Sequence, residues 1–156
     1  MTALVIGGGP AGMMAAEELA RAGARVLLTE AKPTLARKFL MAGKSGLNLT
    51  RDEPLAQFLD AYSPDWIRPH VAGFGPAAVM EFARGLGVDL FTGSTGRVFP
   101  IEMKASPMLR LWARRLADLG VETRTRWRWT GFAGDGFAFD TPAGGQVLTP
   151  AVTVLA

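Results

Sequence analysis

Three glycines near the N-terminus stand at a spacing that few backbone geometries explain, Gly7-x-Gly9-x-x-Gly12. They directly follow the apolar run Ala3-Leu4-Val5-Ile6 and directly precede Met13-Met14-Ala15-Ala16. A short continuous apolar run suits a parallel strand buried on both faces. Ala16, Leu19 and Ala20 then recur at helical spacing, with Glu17, Glu18 and Arg21 placed for the wet side and Gly23 as the stop. Arg25–Glu30 reads as a second strand ending on an acid, 18 residues after Gly12. A strand, a glycine turn, a helix and a second strand ending in Glu is the context that turns a weak glycine motif into a dinucleotide-binding fingerprint. Gly7 would permit the tight turn, Gly9 would let backbone approach a pyrophosphate, and Gly12 would let helix and strand pack closely. Pro10 and Ala11 open the helix, whose free N–H groups and positive end suit phosphate. Glu30, followed by Ala31, would accept hydrogen bonds from the adenosine ribose. An acid there disfavours a 2′-phosphate, which ranks FAD or NAD above NADP.

Beyond this unit the pattern becomes irregular. From Ala31 to about Pro54 no periodicity persists, and Gly43, Gly46, Asn48 and Thr50 mark a loop. Short helices are expected over Leu55–Tyr62 and from Gly75-Pro76 to Gly87, with Arg68-Pro69-His70 as loop between them. Val88–Phe91 and Arg97–Pro100 read as short strands, and Ser106-Pro107 as the N-cap and first residue of a helix ending at Gly120. Val121–Thr125 is the expected third strand. After it, Arg124, Arg126 and Arg128 alternate with Thr125, Trp127 and Trp129 as the two faces of one strand. Gly134-Asp135-Gly136 and Ala143-Gly144-Gly145 read as hairpin turns, and Ala151–Ala156 as a last buried-type strand.

Composition bounds the chemistry. The chain has 156 residues, 17 Lys+Arg, 14 Asp+Glu, one His and no Cys. Without cysteine there is no disulfide framework, thiol nucleophile, iron–sulfur cluster or Cys-ligated zinc. With one histidine and no cysteine a His/Cys metal cluster cannot be assembled, and His70, in Arg68-Pro69-His70, reads as ordinary loop rather than as a general base or covalent flavin anchor. No apolar run approaches the roughly 20 residues of a membrane span, and the N-terminus lacks a basic n-region, so the expected compartment is the cytoplasm. The Arg/Trp alternation over residues 124–129 is explained more simply by a two-faced strand than by an RNA surface. Trp66, Trp112, Trp127 and Trp129 are accordingly expected as core or half-buried packing.

The Gly9-Pro10-Ala11-Gly12 turn resembles that of flavoproteins with the glutathione-reductase-like FAD fold. Arg37-Lys38, followed by Ala42-Gly43-Lys44-Ser45-Gly46-Leu47-Asn48-Leu49-Thr50, is similar to a Gly-Arg-Lys and Ser-Gly-Gly-Gly-Arg-Cys-Asn-x-Thr segment of one bacterial subfamily. So are Gly96-Arg97-Val98-Phe99-Pro100, Lys104-Ala105, and the closing meander and strand. That subfamily comprises NAD(P)/FAD-dependent oxidoreductases, aminoacetone-oxidase-like and bile-acid-reductase-like. Departures at Ala42 and over residues 44–47 resemble a second branch of it.

The resemblance implies an α/β, Rossmann-like FAD-binding βαβ fold with a parallel sheet, an insertion at about 31–104 and an antiparallel β-meander at about 126–149. It implies FAD as cofactor, with Gly43 and Asn48 carried over from the matching segment beside Gly7, Gly9, Pro10, Ala11, Gly12, Glu30 and Ala31 of the fingerprint. By their charge, Arg37, Lys38 and Lys44 would offset phosphate, and Lys44 would stabilise a reduced flavin. No catalytic residue is assigned. The implied reaction is hydride transfer on a small-molecule substrate, with NAD(P)H as candidate reductant or O2 as oxidant. Two alternatives stay open, a non-catalytic dinucleotide sensor and a flavoprotein acting on RNA. The resemblance further implies an N-terminal piece of a longer flavoprotein, inactive alone, whose substrate domain and C-terminal flavin-contacting segment lie elsewhere.

Overall fold

The computed structural model describes residues 2–43 and 46–156. Its elements fall into two units, residues 1–39 with 113–156, and residues 40–112. The first unit is built on a four-stranded sheet in the order β10-β1-β2-β6, from β1 (Thr2–Ile6), β2 (Arg25–Glu30), β6 (Glu122–Thr125) and β10 (Val152–Leu155). All three pairings are parallel, with Leu4 level with Leu27 and Thr153, and Glu30 level with Thr125. This is the α/β arrangement expected from the apolar runs. Ala3, Leu4, Val5, Val26 and Leu28 are at most 2% exposed, as strands covered on both faces must be. From β1 the chain moves outward to β2 and β6, then returns to place β10 on the opposite side of β1. The order therefore reverses between β1 and β10, where ligands of open α/β sheets bind.

Helix α1 (Pro10–Arg21) packs its Met13 and Ala16 fully out of solvent. The meander β7 (Arg128–Ala133), β8 (Gly136–Thr141) and β9 (Gly144–Leu148) forms a separate antiparallel sheet. Its Phe139 is 1% exposed and joins Leu4 and Leu27 in one core cluster, with Ile6, Trp127, Trp129, Phe137 and Leu148 packed against it.

The second unit holds the Leu40–Ala42 end of α2 (Arg37–Ala42), α3 (Leu55–Asp60), a 3-10 turn at Asp65–Ile67, α4 (Arg68–Gly73) and α5 (Pro76–Gly85). It also holds the antiparallel sheet β3-β5-β4, from Thr50–Arg51, Arg97–Pro100 and Leu90–Thr92. Helix α6 (Ala105–Asp118) buries Ala105, Met108, Trp112 and Leu116. Its Trp112 meets Phe82 edge to face, with ring centroids 5.0 Å apart.

Five expectations are corrected. The segment 31–54 is not all loop: α2 (Arg37–Ala42) and β3 lie within it. Arg37-Lys38-Phe39-Leu40-Met41-Ala42 are all tolerable helix formers, too few to show a period. Arg68–His70 is helical, because Pro69 sits in the first turn, where proline costs no hydrogen bond. Helix α6 begins at Ala105, so Ser106 and Pro107 occupy its first turn rather than its cap. Trp66 is 67% exposed. Residues 124–129 are not one strand: Arg126 adopts φ 60°, and this left-handed residue separates β6 from β7.

Candidate dinucleotide site

The Gly7–Gly12 turn connects the end of β1 to the start of α1, and each glycine of the fingerprint has a different neighbourhood. Gly7 adopts φ +114°, and a Cβ there would run into the Ala156 carbonyl at the end of β10. A Cβ on Gly12 would run into the Gly7 carbonyl oxygen and lie 3.4 Å from the Ala156 methyl. Gly9 is the opposite case, with no atom within 4 Å of where its Cβ would stand. Two glycines are thus demanded by protein packing, while the third faces open space that a ligand can enter. The open space beside Gly9 is where the spacing expects backbone to approach a pyrophosphate.

Helix α1 opens on this space. Gly9 is its N-cap without any side-chain cap, Pro10 is in its first turn, and no acidic residue follows there. The first closing bond runs from the Met13 N–H to the Gly9 carbonyl, at 2.9 Å. The amides of Ala11 and Gly12 lie before that bond and have no carbonyl a turn earlier to reach. They add to the positive end of the helix, which favours an anion from outside the chain.

Glu30 is held in place by backbone. The Gly8 N–H donates to its Oε2 at 2.9 Å and the Lys32 N–H to its Oε1 at 2.7 Å. A carboxylate offers about four acceptor positions, so two remain for ligand hydroxyls. Gly8, which the fingerprint leaves unspecified, proves necessary here. A Cβ on it would lie 2.5 Å from Leu35 Cδ2 and 2.9 Å from Glu30 Cβ. The Ala36 N–H also donates to the Gly8 carbonyl at 2.7 Å, which fastens the start of α2 beside the turn. Arg37 and Lys38 follow immediately, exposed and without an ion pair among the described residues. They are cations available at the turn.

A cleft of about 260 Å³ opens at the carboxyl ends of β1, β2 and β10. Gly7, Glu30, Ala31, Trp127, Trp129 and Leu155 line it, together with Ile6, Thr29, Arg128 and Ala156. It is smaller than the roughly 300–1,000 Å³ pocket of a drug-sized ligand, and suits part of a dinucleotide. The tryptophans reach it because the chain beyond β6 continues along the end of β2. The Trp127 N–H donates to the Glu30 carbonyl at 2.9 Å and the Arg126 N–H to the Lys32 carbonyl at 3.1 Å. The Arg124 guanidinium lies 4.6 Å above the Trp127 ring. Trp127 and Trp129 are half-buried, as expected, but nothing in their spacing marked them as cleft residues.

Gly43 and Asn48 belong to the second unit. A Cβ on Gly43 would lie 2.5 Å from the Ala105 Cβ, so this glycine is required where the loop crosses the start of α6. The Leu47 N–H donates to the Met103 carbonyl at 3.1 Å, while Asn48 is exposed. Lys44 lies outside the described residues. Among the described residues no group of three His, Asp or Glu could hold a metal ion. No helix among them is long and apolar enough to cross a membrane.

Comparison with known proteins agrees with this geometry. THI4 of Thermovibrio ammonificans aligns with a TM-score of 0.65 at 16% identity, over 99% of this chain and 56% of its own. The 3-ketosteroid-Δ4-(5α)-dehydrogenase of Rhodococcus jostii RHA1 aligns at 0.68 and 17% identity, over 98% and 44%. A flavocytochrome c3 fumarate reductase in its open conformation aligns at 0.72 and 20% identity, over 99% and 33%. At such identities the likeness is one of fold, and the chain spans between a third and just over half of these proteins. The HI0933-like protein Rossmann domain family matches residues 1–156. The chain, matched from end to end, belongs to the HI0933-like Rossmann domain family.

Proposed function

We propose that this chain is the FAD-binding part of a flavin-dependent oxidoreductase. The observation that carries the reading is the division of labour among the glycines: Gly7 and Gly12 filled by backbone, Gly9 open at an uncapped helix start. The cofactor is FAD. Its pyrophosphate would be held by the Ala11 and Gly12 amides, with Arg37 and Lys38 offsetting charge. Glu30 would take the adenosine ribose hydroxyls on the acceptor positions that Gly8 and Lys32 leave free. The Trp127–Trp129 side of the cleft would exclude water from the adenosine. Bound flavin supplies two-electron redox chemistry, and the residues here bind and orient it. The family membership supports this assignment, and so do neighbours named as a dehydrogenase and a fumarate reductase.

Within the family, the Arg37–Thr50 segment favours the second branch of the aminoacetone-oxidase-like subfamily. A nicotinamide nucleotide is the proposed reductant and O2 the proposed oxidant. The test is purification of the full-length protein followed by denaturation and identification of the released cofactor. FAD is expected in the supernatant, reducible in the native protein by NADH or NADPH and reoxidised in air. Released NAD would overturn the cofactor assignment. Flavin that neither nicotinamide nucleotide reduces and O2 does not reoxidise would leave a binding module instead.

A further inference from the structure

The sheet β3-β5-β4 of the second unit carries a pairing that sheets ordinarily avoid. Arg51 and Arg97 are directly opposite one another across β3 and β5, and like charges at such positions repel. Only one of them is neutralised: Arg51 Nε lies 3.1 Å from Glu53 Oε2, and its Nη2 donates to the Thr95 carbonyl at 3.4 Å. Arg97 is exposed and makes no ion pair or side-chain hydrogen bond among the described residues. Side chains two apart on a strand share a face, so Arg97 stands on the side of Phe99. On the other side, Val98 and Pro100 are buried. Phe99 is paired in register with Phe91, and their rings stack with centroids 5.6 Å apart and planes inclined by 25°. Phe91 is 41% exposed. The positions where Gly93 and Gly46 would carry a Cβ lie 3.6 and 3.9 Å from opposite edges of the Phe99 ring. Neither glycine contributes a side chain to those edges, and the Met103 methyl lies 2.8 Å from where the Gly46 Cβ would stand.

We propose that this face binds an aryl carboxylate. The carboxylate would sit on the Arg97 guanidinium beside Arg51, neutralising the cation that Glu53 leaves uncompensated, through bidentate, charge-assisted bonds. The flat ring would pack on the Phe91–Phe99 pair, where offset or edge contacts between aromatic rings are favourable. Two residues of strand separate the cation pair from the ring pair, a distance of roughly 7 Å. That spacing selects an aromatic ring carrying its carboxylate on a short arm. A bare anion would use only the arginines and an uncharged arene only the rings.

The test titrates the full-length protein with 3-(2-naphthyl)propionate and with its primary amide, followed by naphthyl fluorescence. The acid should bind about tenfold or more tightly than the amide, the worth of one charge-assisted contact. Arg97→Gln should bring the acid down to the amide's affinity, and Arg97→Lys should recover part of the difference. Phe91→Ser should weaken acid and amide alike, by up to about tenfold. Both side chains are at the surface, so melting temperature and flavin content should stay at the parent values in all three variants. Equal affinity for acid and amide, or an Arg97→Gln protein that keeps its preference, would overturn the proposal. So would inorganic phosphate that displaces the acid at matched concentration, or a polyuridylate strand bound here that the acid does not displace. The titration does not depend on the flavin reading, because a preparation that releases no FAD still reports on this face.

Discussion

Gly9→Ala separates a glycine kept for a ligand from glycines kept for the fold. Gly9 adopts φ −77° and ψ 178°, a conformation alanine shares without strain, and no protein atom lies within 4 Å of the added methyl. Replacing glycine at a compatible site stabilises by about 0.4–1 kcal/mol through the unfolded chain. Alanine is a poorer N-cap than glycine by a similar amount, so the two effects offset. The melting temperature should therefore stay within about 4 °C of the parent, given about 2–4 °C per kcal/mol for a chain of this size. Binding should respond differently. A methyl group in the open space holds the pyrophosphate away from the Ala11 and Gly12 amides, and each such charge-assisted bond contributes about 1.5–3 kcal/mol. Loss of both corresponds to at least about 3 kcal/mol, or roughly a hundredfold in Kd for FAD. Gly12→Ala is the control. Its methyl would overlap the Gly7 carbonyl, and overpacking of this kind costs about 1–3 kcal/mol, so that variant should melt earlier. Thermal denaturation beside FAD titration reads both quantities. A Gly9→Ala protein that binds FAD as the parent does, or that loses as much stability as Gly12→Ala, would refute the reasoning.

Three further outcomes follow from the packing. Glu17 is 2% exposed and holds Arg21 at 2.8 Å and Arg115 at 3.2 Å, so Glu17→Ala should cost about 3 kcal/mol in urea unfolding. Glu30→Gln keeps one acceptor oxygen but loses the charge that orders Gly8 and Lys32, and equilibrium dialysis should show FAD bound about tenfold more weakly. Phe139→Ala removes the aromatic centre of the cluster formed with Leu4 and Leu27, and should destabilise by about 3–5 kcal/mol in chemical denaturation.

The parts of this fold that could be read in advance are those whose cause is local. The glycine turn, the apolar runs of β1 and β2, and the helix stops at Gly23, Gly87 and Gly120 each follow from a few neighbouring residues. All three stops adopt positive φ, the conformation that called for glycine there. What escaped notice has distant causes. Glu17 looked like a residue of the wet face of α1, and its burial depends on Arg115, which arrives 98 residues later. The Arg/Trp alternation looked like one strand, yet Arg126 breaks it because its amide follows the Lys32 carbonyl rather than continuing the pleat. Gly8 carried no signal beyond being one more glycine. Its necessity comes from Leu35 and Glu30, placed beside it by a loop of no recognisable period.

The contact between the glycine turn and β10 also sets an order of events. Gly7 can take its place only against the Ala156 carbonyl, Gly12 lies beneath that same residue, and the Ala156 N–H donates to the Ile6 carbonyl at 2.9 Å. A phosphate cradle that looks contiguous in sequence is thus a four-cornered object, with its fourth corner 144 positions downstream of Gly12. Closing so long a loop is slow relative to forming α1 or a hairpin. The helix and its amides can form early, but the cradle acquires its shape only when β10 pairs with β1. A dinucleotide that needs this shape would accordingly bind after β10 has paired with β1 rather than before.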